Sequence, residues 1–218
     1  MTAIIRVINP NSNKHVTDEM SKTLDTLRRS GAPRLECLTL EQGPRGIESQ
    51  ADVSKVEPML AQLIQSDTSA AAFIIGCYSD PGLALCKEIT DRPVFGIAEC
   101  AIATALTRGS SFGVISILEN SVKRHIRHLR ERLLHHRCAG DRPLGLTIAQ
   151  IQSGGKTLDR MKKIGTILRD EDGADVIIMG CAGMAKYRIN LEKFLSVPVI
   201  DPTQAAASIA IGVVALMN

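Results

Sequence analysis

Short apolar runs recur along the chain, and between them lie longer stretches in which apolar residues return every third or fourth position. The runs near 3–8, 35–40, 70–75, 94–97, 112–117, 144–149, 175–179 and 197–200 read as strands. The stretches 13–30, 52–65, 81–90, 99–108, 120–137, 155–171, 187–195 and 203–217 read as helices. Strands that alternate with helices predict parallel sheets built from βαβ crossovers. The strand candidates are nearly continuous Ile, Val, Leu and Ala, as expected of strands covered on both faces.

The pattern repeats. Gly76-Cys77 and Gly180-Cys181 each end an apolar run, and the two cysteines are offset by 104 residues. Each is followed at a similar distance by Pro-Val: 16 residues separate Cys77 from Pro93, and 17 separate Cys181 from Pro198. The first copy reads AAAFIIGCYSD and then PVFGIAECAIATAL; the second reads DVIIMGCAGM and then PVIDPTQAAASIAIG. Ser110-Ser111 precedes the second copy, whose FGVISILEN corresponds to IIRVINPNSN in the first. The chain is thus expected to hold two α/β lobes of four strands each, residues 1–98 with 202–218 and residues 99–201. The last helix, which feeds no further strand, is expected to pack back across both.

In open α/β sheets, ligands bind beyond the carboxyl ends of the strands. Cys77, Cys181, the turn Asn9-Pro10-Asn11-Ser12 and Ser116 all fall at such ends, and facing lobes would gather them around one cleft. Two thiols placed symmetrically suit inversion at carbon, in which one base takes a proton from one face and an acid returns one to the other. A thiolate is a competent base, and its pKa falls at helix N-termini. Asp80 and Pro81 after Cys77 read as the cap and first residue of a helix. The small Ala182 and Gly183 after Cys181 would let backbone N–H groups approach an oxyanion. Asn9 and Asn11 read equally as turn formers or ligand contacts, as do Ser79 and Ser116. Cys37, Cys86, Cys100 and Cys138 have no partner at the repeat offset and are assigned to packing.

Composition narrows the class. The chain has 218 residues, 44% hydrophobic and 22% charged, which is ordinary for a soluble globular protein with a real core. A net charge of +3 is too small to imply a polyanion partner. Along the basic segment Lys123–Arg137 and the residue before it, Val122, Ile126, Leu129 and Leu133 fall at helical spacing, so the Lys, Arg and His residues read as a solvated outer face and not as a nucleic-acid site. Gln150-Ile-Gln-Ser-Gly-Gly-Lys156-Thr157 resembles a phosphate-binding loop but has Gln150 where the pattern needs glycine, and it reads as a plain loop. The cysteines show no zinc-ligand spacing, so no metal is expected. The apolar stretch Ala205–Met217 is 13 residues, too short to span a bilayer, and the N-terminus lacks the pattern of a signal peptide. A cytoplasmic protein with thiols, no membrane contact and a homo-oligomeric state is expected.

Taken together, INPNS near the start, GCYSDPGL in the first lobe, and GCAGM with PVIDPTQAA in the second resemble the aspartate/glutamate/hydantoin racemase superfamily, above all its hydantoin and allantoin branch. The resemblance covers essentially the whole chain. It implies two Rossmann-like, flavodoxin-like lobes related by a pseudo-twofold, with the active site between them. It also implies cofactor-independent racemisation of a small molecule by one cysteine from each lobe, here Cys77 and Cys181. Ligand contacts carry over to Asn9, Ser12, Ser79, Ser116, Ala182 and Gly183. Glutamate racemases follow the two cysteines with Asn-Thr and Thr-His, whereas this chain has Tyr78-Ser79 and Ala182-Gly183, which disfavours a free amino-acid substrate. The decarboxylase branch keeps only the second-lobe cysteine. Amino-acid racemisation, decarboxylation and a non-catalytic binding role remain the alternatives. The loop from Glu41 to Gln50 is expected to form part of the pocket wall.

Overall fold

The computed structural model describes residues 2–217. In chain order the elements are β1 (Ile4–Asn9), α1 (Lys14–Thr23), β2 (Arg34–Thr39), α2 (Gln50–Ser66), β3 (Ala72–Ile75), α3 (Leu83–Glu88), β4 (Val94–Gly96) and α4 (Ile97–Leu106). They continue with β5 (Phe112–Ser116), α5 (Glu119–Glu131), β6 (Cys138–Pro143), α6 (Ile148–Gln152), α7 (Thr157–Asp170), β7 (Val176–Met179), α8 (Arg188–Leu195), β8 (Val199–Ile200) and α9 (Pro202–Leu216). Among the described residues the strands form two four-stranded sheets, ordered β2-β1-β3-β4 and β6-β5-β7-β8. Every pairing is parallel. This is the α/β architecture the alternation predicts, and the shared strand order is that of a flavodoxin-like half. The chain divides into two compact units, one running up to Cys100 and resuming at Thr203, the other spanning Ala101–Pro202.

In the first unit, β3 is buried along its whole length, and Ile8, Phe73 and Ile75 join Val53, Val56, Leu60 and Ile64 of α2 in one core cluster. Those α2 residues recur at spacings of three and four, which places them on one helix face. The helix starts at a capping box: the Ser49 hydroxyl accepts from the Asp52 amide at 3.1 Å, and the Asp52 carboxylate accepts from the Ser49 amide at 2.8 Å. Cys77, just beyond β3, packs against the same cluster.

The second unit corrects two expectations. The strand expected at 144–149 lies earlier, at Cys138–Pro143, and the apolar LGLTIA run instead forms a loop and the start of α6. β6 is an edge strand pairing only with β5, so its polar residues are tolerated and no continuous apolar signal marks it. The helix expected over 120–137 stops at Glu131. There Leu133 takes the left-handed conformation at φ 57°, and the Leu134 amide donates to the Leu129 carbonyl at 2.9 Å, the hydrogen bond of a Schellman cap. Leu133 is therefore exposed and not part of the helix's apolar stripe. Similarly, α1 ends at Thr23, short of the expected residue 30.

Candidate active site

The two Gly-Cys pairs sit at equivalent places. The Gly76 amide donates to the Ile8 carbonyl of β1 at 2.7 Å, and the Gly180 amide donates to the Ile115 carbonyl of β5 at 2.9 Å. A side chain at either position would collide with that same carbonyl oxygen, at 2.9 Å from Ile8 and 2.8 Å from Ile115. Glycine is thus required because the chain must run close past the neighbouring strand as it leaves the sheet. The next residue in each lobe is a half-buried cysteine whose carbonyl closes a tight turn. It accepts from the Asp80 amide at 2.9 Å in the first lobe and from the Met184 amide at 3.2 Å in the second.

Around each cysteine the wall is buried. Tyr78 and Asp80 in the first lobe, and Ala182, Gly183 and Met184 in the second, are shielded from solvent, whereas Cys77, Ser79 and Cys181 are half-buried. A Cβ on Gly183 would stand 3.7 Å from the Cys181 sulfur, so the 3-10 turn Ala182–Tyr187 begins directly against the thiol. The other four cysteines differ. Burial pushes the thiols of Cys86 up to about 11 and Cys100 to about 12, the latter helped by Glu99 and Asp80. Burial and then Asp141 push Cys138 to about 12, and burial also raises Cys37. In all four, burial disfavours the thiolate.

Asp80 corrects a further expectation. It does not cap the helix that follows it: α3 begins only at Leu83, behind Gly82 in the left-handed conformation. Instead its carboxylate accepts from the Ala98 and Glu99 amides, both at 2.9 Å, and so caps α4 across the carboxyl end of the sheet.

The remaining candidates divide by surroundings. Asn9, fully buried at the end of β1, is held by its own lobe: its amide donates to Asn11 Oδ1 at 3.1 Å and Thr17 Oγ1 at 3.0 Å, and Asn11 N–H returns a bond to its Oδ1 at 3.2 Å. The Ser12 amide donates to the Pro44 carbonyl at 2.9 Å, which fastens the 41–50 loop beside this turn. Ser116, fully buried at the end of β5, donates to Asp141 Oδ1 and lies 3.0 Å from His125 Nδ1. His125 Nδ1 is also 2.8 Å from Asp141 Oδ2.

This Ser116–His125–Asp141 knot was not anticipated, and it corrects the reading of the α5 histidines as a solvated face. Both Arg124 and His125 are buried. The sequence did hold a signal, since 122, 125 and 129 share the helical spacing of the buried stripe.

Three further observations bear on the site and its setting. The recess lined by Arg28, Arg29 and Arg34 opens at the amino end of β2, the opposite end from Cys77. Among the described residues no three His, Cys, Asp or Glu side chains gather as a metal ion requires. No described helix is long and apolar enough to cross a membrane.

Residues 5–210 match the family model of Asp/Glu/hydantoin racemases. The chain belongs to that family. A hydantoin racemase of Paenarthrobacter aurescens is 33% identical over 97% of this chain and 91% of its own length. One from Pseudomonas sp. strain NS671 is 32% identical over 94% of this chain and 84% of its own. The structure of allantoin racemase from Klebsiella pneumoniae superposes with a TM-score of 0.94 at 25% identity, covering 99% of this chain and 89% of that one. These relatives place the protein in the hydantoin/allantoin branch of the racemases and make it an isomerase.

Proposed function

We propose that this racemase inverts the ring carbon of a 5-substituted hydantoin or of allantoin, with Cys77 and Cys181 as the acid-base pair. The observation that carries the reading is the equivalence of the two thiols, each placed by a glycine squeezed against the first strand of its sheet and each opening a turn through its own carbonyl. A two-base inversion needs one such group for each face of the carbon.

In the proposed step, one cysteine is a thiolate and the other a thiol when substrate binds. The thiolate takes the proton from the ring carbon, and the bonding pair left behind delocalises into the adjacent carbonyl as an enolate. The opposite thiol then returns a proton to the other face, so the resting charges of the two sulfurs are exchanged and no electrons are lost. General acid-base catalysis of this kind contributes about 10²–10⁴-fold. Backbone N–H groups at the start of the two turns are the candidates for holding the enolate oxygen.

The neighbours of the thiols favour a neutral ring over a zwitterionic amino acid. Tyr78 and Ser79 follow Cys77, and Ala182 and Gly183 follow Cys181, all of them uncharged. The one adjacent carboxylate, Asp80, is committed to the α4 amides. None of these neighbours offers an ion-pair partner to an ammonium or a carboxylate, which favours the neutral ring.

The test is to incubate single enantiomers of allantoin and of a 5-substituted hydantoin with the protein in D₂O, following optical rotation and deuterium uptake together. Loss of rotation with deuterium incorporation at the ring carbon supports the proposal. Absence of exchange with either compound overturns it and directs attention to amino acids and malonates.

A further inference from the structure

The segment that follows β6 is tied to the turn that Cys181 opens. It leaves the sheet pinned beside the end of β5: the Leu144 amide donates to the Ser116 carbonyl at 2.8 Å and the Leu146 amide to the Ile117 carbonyl at 3.1 Å. Arg160 of α7 adds a bond to the Leu144 carbonyl at 2.9 Å. The five-residue α6 then starts at a capping box, in which the Thr147 hydroxyl accepts from the Gln150 amide and Gln150 Oε1 accepts from the Thr147 amide. It is followed by Gly154 and Gly155, both at positive φ, 84° and 29°. The run that resembles a phosphate-binding loop is thus a short helix and its exit: Gln150 caps, and the glycines turn the chain towards α7.

A helix this short is not stable by itself. Its last four carbonyls also have no partner inside it. Two are met locally, Ala149 by the Ser153 amide at 3.1 Å and Gln150 by the Ser153 hydroxyl at 2.8 Å. The other two are met from the 3-10 turn Ala182–Tyr187. The Tyr187 hydroxyl donates to the Ile151 carbonyl at 3.1 Å, which the Gly154 amide also reaches at 3.3 Å, and the Lys186 ammonium donates to the Gln152 carbonyl at 3.2 Å. Lys186 Nζ also lies 5.3 Å from the centre of the Tyr187 ring, so the two side chains support each other. Tyr187 and Ile151 are buried, and α6 packs against this turn more than against any other described element.

We propose that Tyr187, helped by Lys186, is a positioning residue for Cys181: by clasping α6 it fixes the turn that carries the thiol, and α6 and the turn loosen as one unit. The proposal rests on the reading of Cys181 as an acid-base thiol. At its near end the turn is held by the Gly180 amide on the Ile115 carbonyl, and at its far end by Tyr187 on Ile151. Between these ends the Met184 amide bonds the Cys181 carbonyl, and a Cβ on Gly183 would lie 3.7 Å from the sulfur, so movement of the turn is felt at the thiol. A misplacement of about 1 Å costs a catalytic group up to about 10²-fold.

The experiment uses Tyr187→Phe in the full chain, which keeps the ring and leaves the Ile151 carbonyl its Gly154 bond. Hydrogen exchange read by peptide mass spectrometry is expected to speed up by about 10-fold in 148–154 and in 182–187 together, with β5 and β7 unchanged. Iodoacetamide is expected to alkylate Cys181 faster by a similar factor, while Cys138, half-buried in β6 of the same unit, keeps its rate. For inversion, kcat is expected to fall by about 10-fold and KM to change less. Loosening of α6 alone, with the Cys181 turn and kcat unmoved, is what a merely structural tyrosine would give, and it overturns the proposal. So does acceleration at Cys138, β5 and β7 as well, which marks a general loosening. If Tyr187→Phe does not fold, Lys186→Ala, which removes an exposed side chain, decides alone by the same criteria. Coupled loosening in a protein that inverts neither allantoin nor a hydantoin rejects the proposed function and keeps the tie between Tyr187 and Cys181; inversion with an unmoved Cys181 turn does the reverse.

Discussion

The carboxylate of Asp80 occupies the space that a side chain on Gly96 would need: a Cβ there would stand 2.3 Å from it. Gly96 ends β4, and its counterpart in the second copy, read from the aligned PVFG and PVID segments, is Asp201. The first lobe thus brings its carboxylate to the start of α4 from the cysteine turn, whereas the second carries an aspartate at the residue between β8 and α9. Asp80's counterpart after Cys181 is the apolar Met184.

The exchange can be tested by a mutant cycle. Gly96→Asp alone sets two carboxylates against each other and is expected to destabilise the protein by about 1–3 kcal/mol. Asp80→Ala alone removes the α4 cap, at a cost of about 1–2 kcal/mol. The double variant, which imitates the second lobe, is expected to be more stable than the sum of the two losses. Urea denaturation at neutral pH measures the coupling, and strict additivity would refute the equivalence.

Gly76→Ala and Gly180→Ala push a methyl against a backbone carbonyl that cannot swing away. Each is expected to cost about 1–3 kcal/mol and to lower kcat/KM further than instability accounts for, because the thiol is displaced along with the turn. In Gly76→Ala the Met20 methyl, 2.3 Å from the new Cβ, can yield, but the Ile8 oxygen cannot. Steady-state kinetics below the unfolding transition separates the two effects. Unchanged kcat/KM would argue against cysteine placement as the role of these glycines.

Cys77→Ser and Cys181→Ser are each expected to reduce racemisation by at least about 10²-fold. Each is also expected to retain deuterium exchange with one enantiomer only, and the two variants should prefer opposite enantiomers. Full racemisation by either variant would remove the two-base assignment.

Acid stability is expected to depend on Asp67. Burial alone would raise its carboxyl, but the Ser69 hydroxyl, Arg6 and the amides of Ser69 and Ala70 outweigh this and bring it down to about 2. The folded value lies below the unfolded one of about 3.9, so the stabilisation is fully present above that pH and is lost as pH falls towards 2. Asp67→Asn should flatten the stability profile between about pH 4 and 2 relative to the wild type. Equal slopes in chemical denaturation over that range would show that Asp67 is not the responsible group.

Much of this arrangement was legible because it is local or repeated. The Gly-Cys pairs, the alternation of strand and helix and the fully buried β3 and β7 leave a mark within a few residues. The missed parts depend on distant contacts. CAGDRP is a strand only because β5 lies beside it, and Asp141 within it is polar because His125 and Ser116 reach it from elsewhere. Asp80 looks like a cap for the helix that follows, and only the folded sheet brings the start of α4 to it. His125 is the instructive case. The stripe through Val122, Ile126, Leu129 and Leu133 looked continuous, but the helix ends before Leu133, and the buried face turns towards Arg124 and His125.

The last helix belongs with the first lobe: residues from Thr203 on group with residues up to Cys100, and the Gln204 side chain donates to the Thr23 carbonyl at 2.9 Å, 181 positions away. On the ribosome this has a consequence for timing. The half of the chain that emerges first lacks its closing segment until the other half has been made, so the later-made Ala101–Pro202 unit is the one that is complete in sequence when translation reaches α9. The early lobe must wait with part of its apolar surface uncovered, and premature termination anywhere in the second half damages the first.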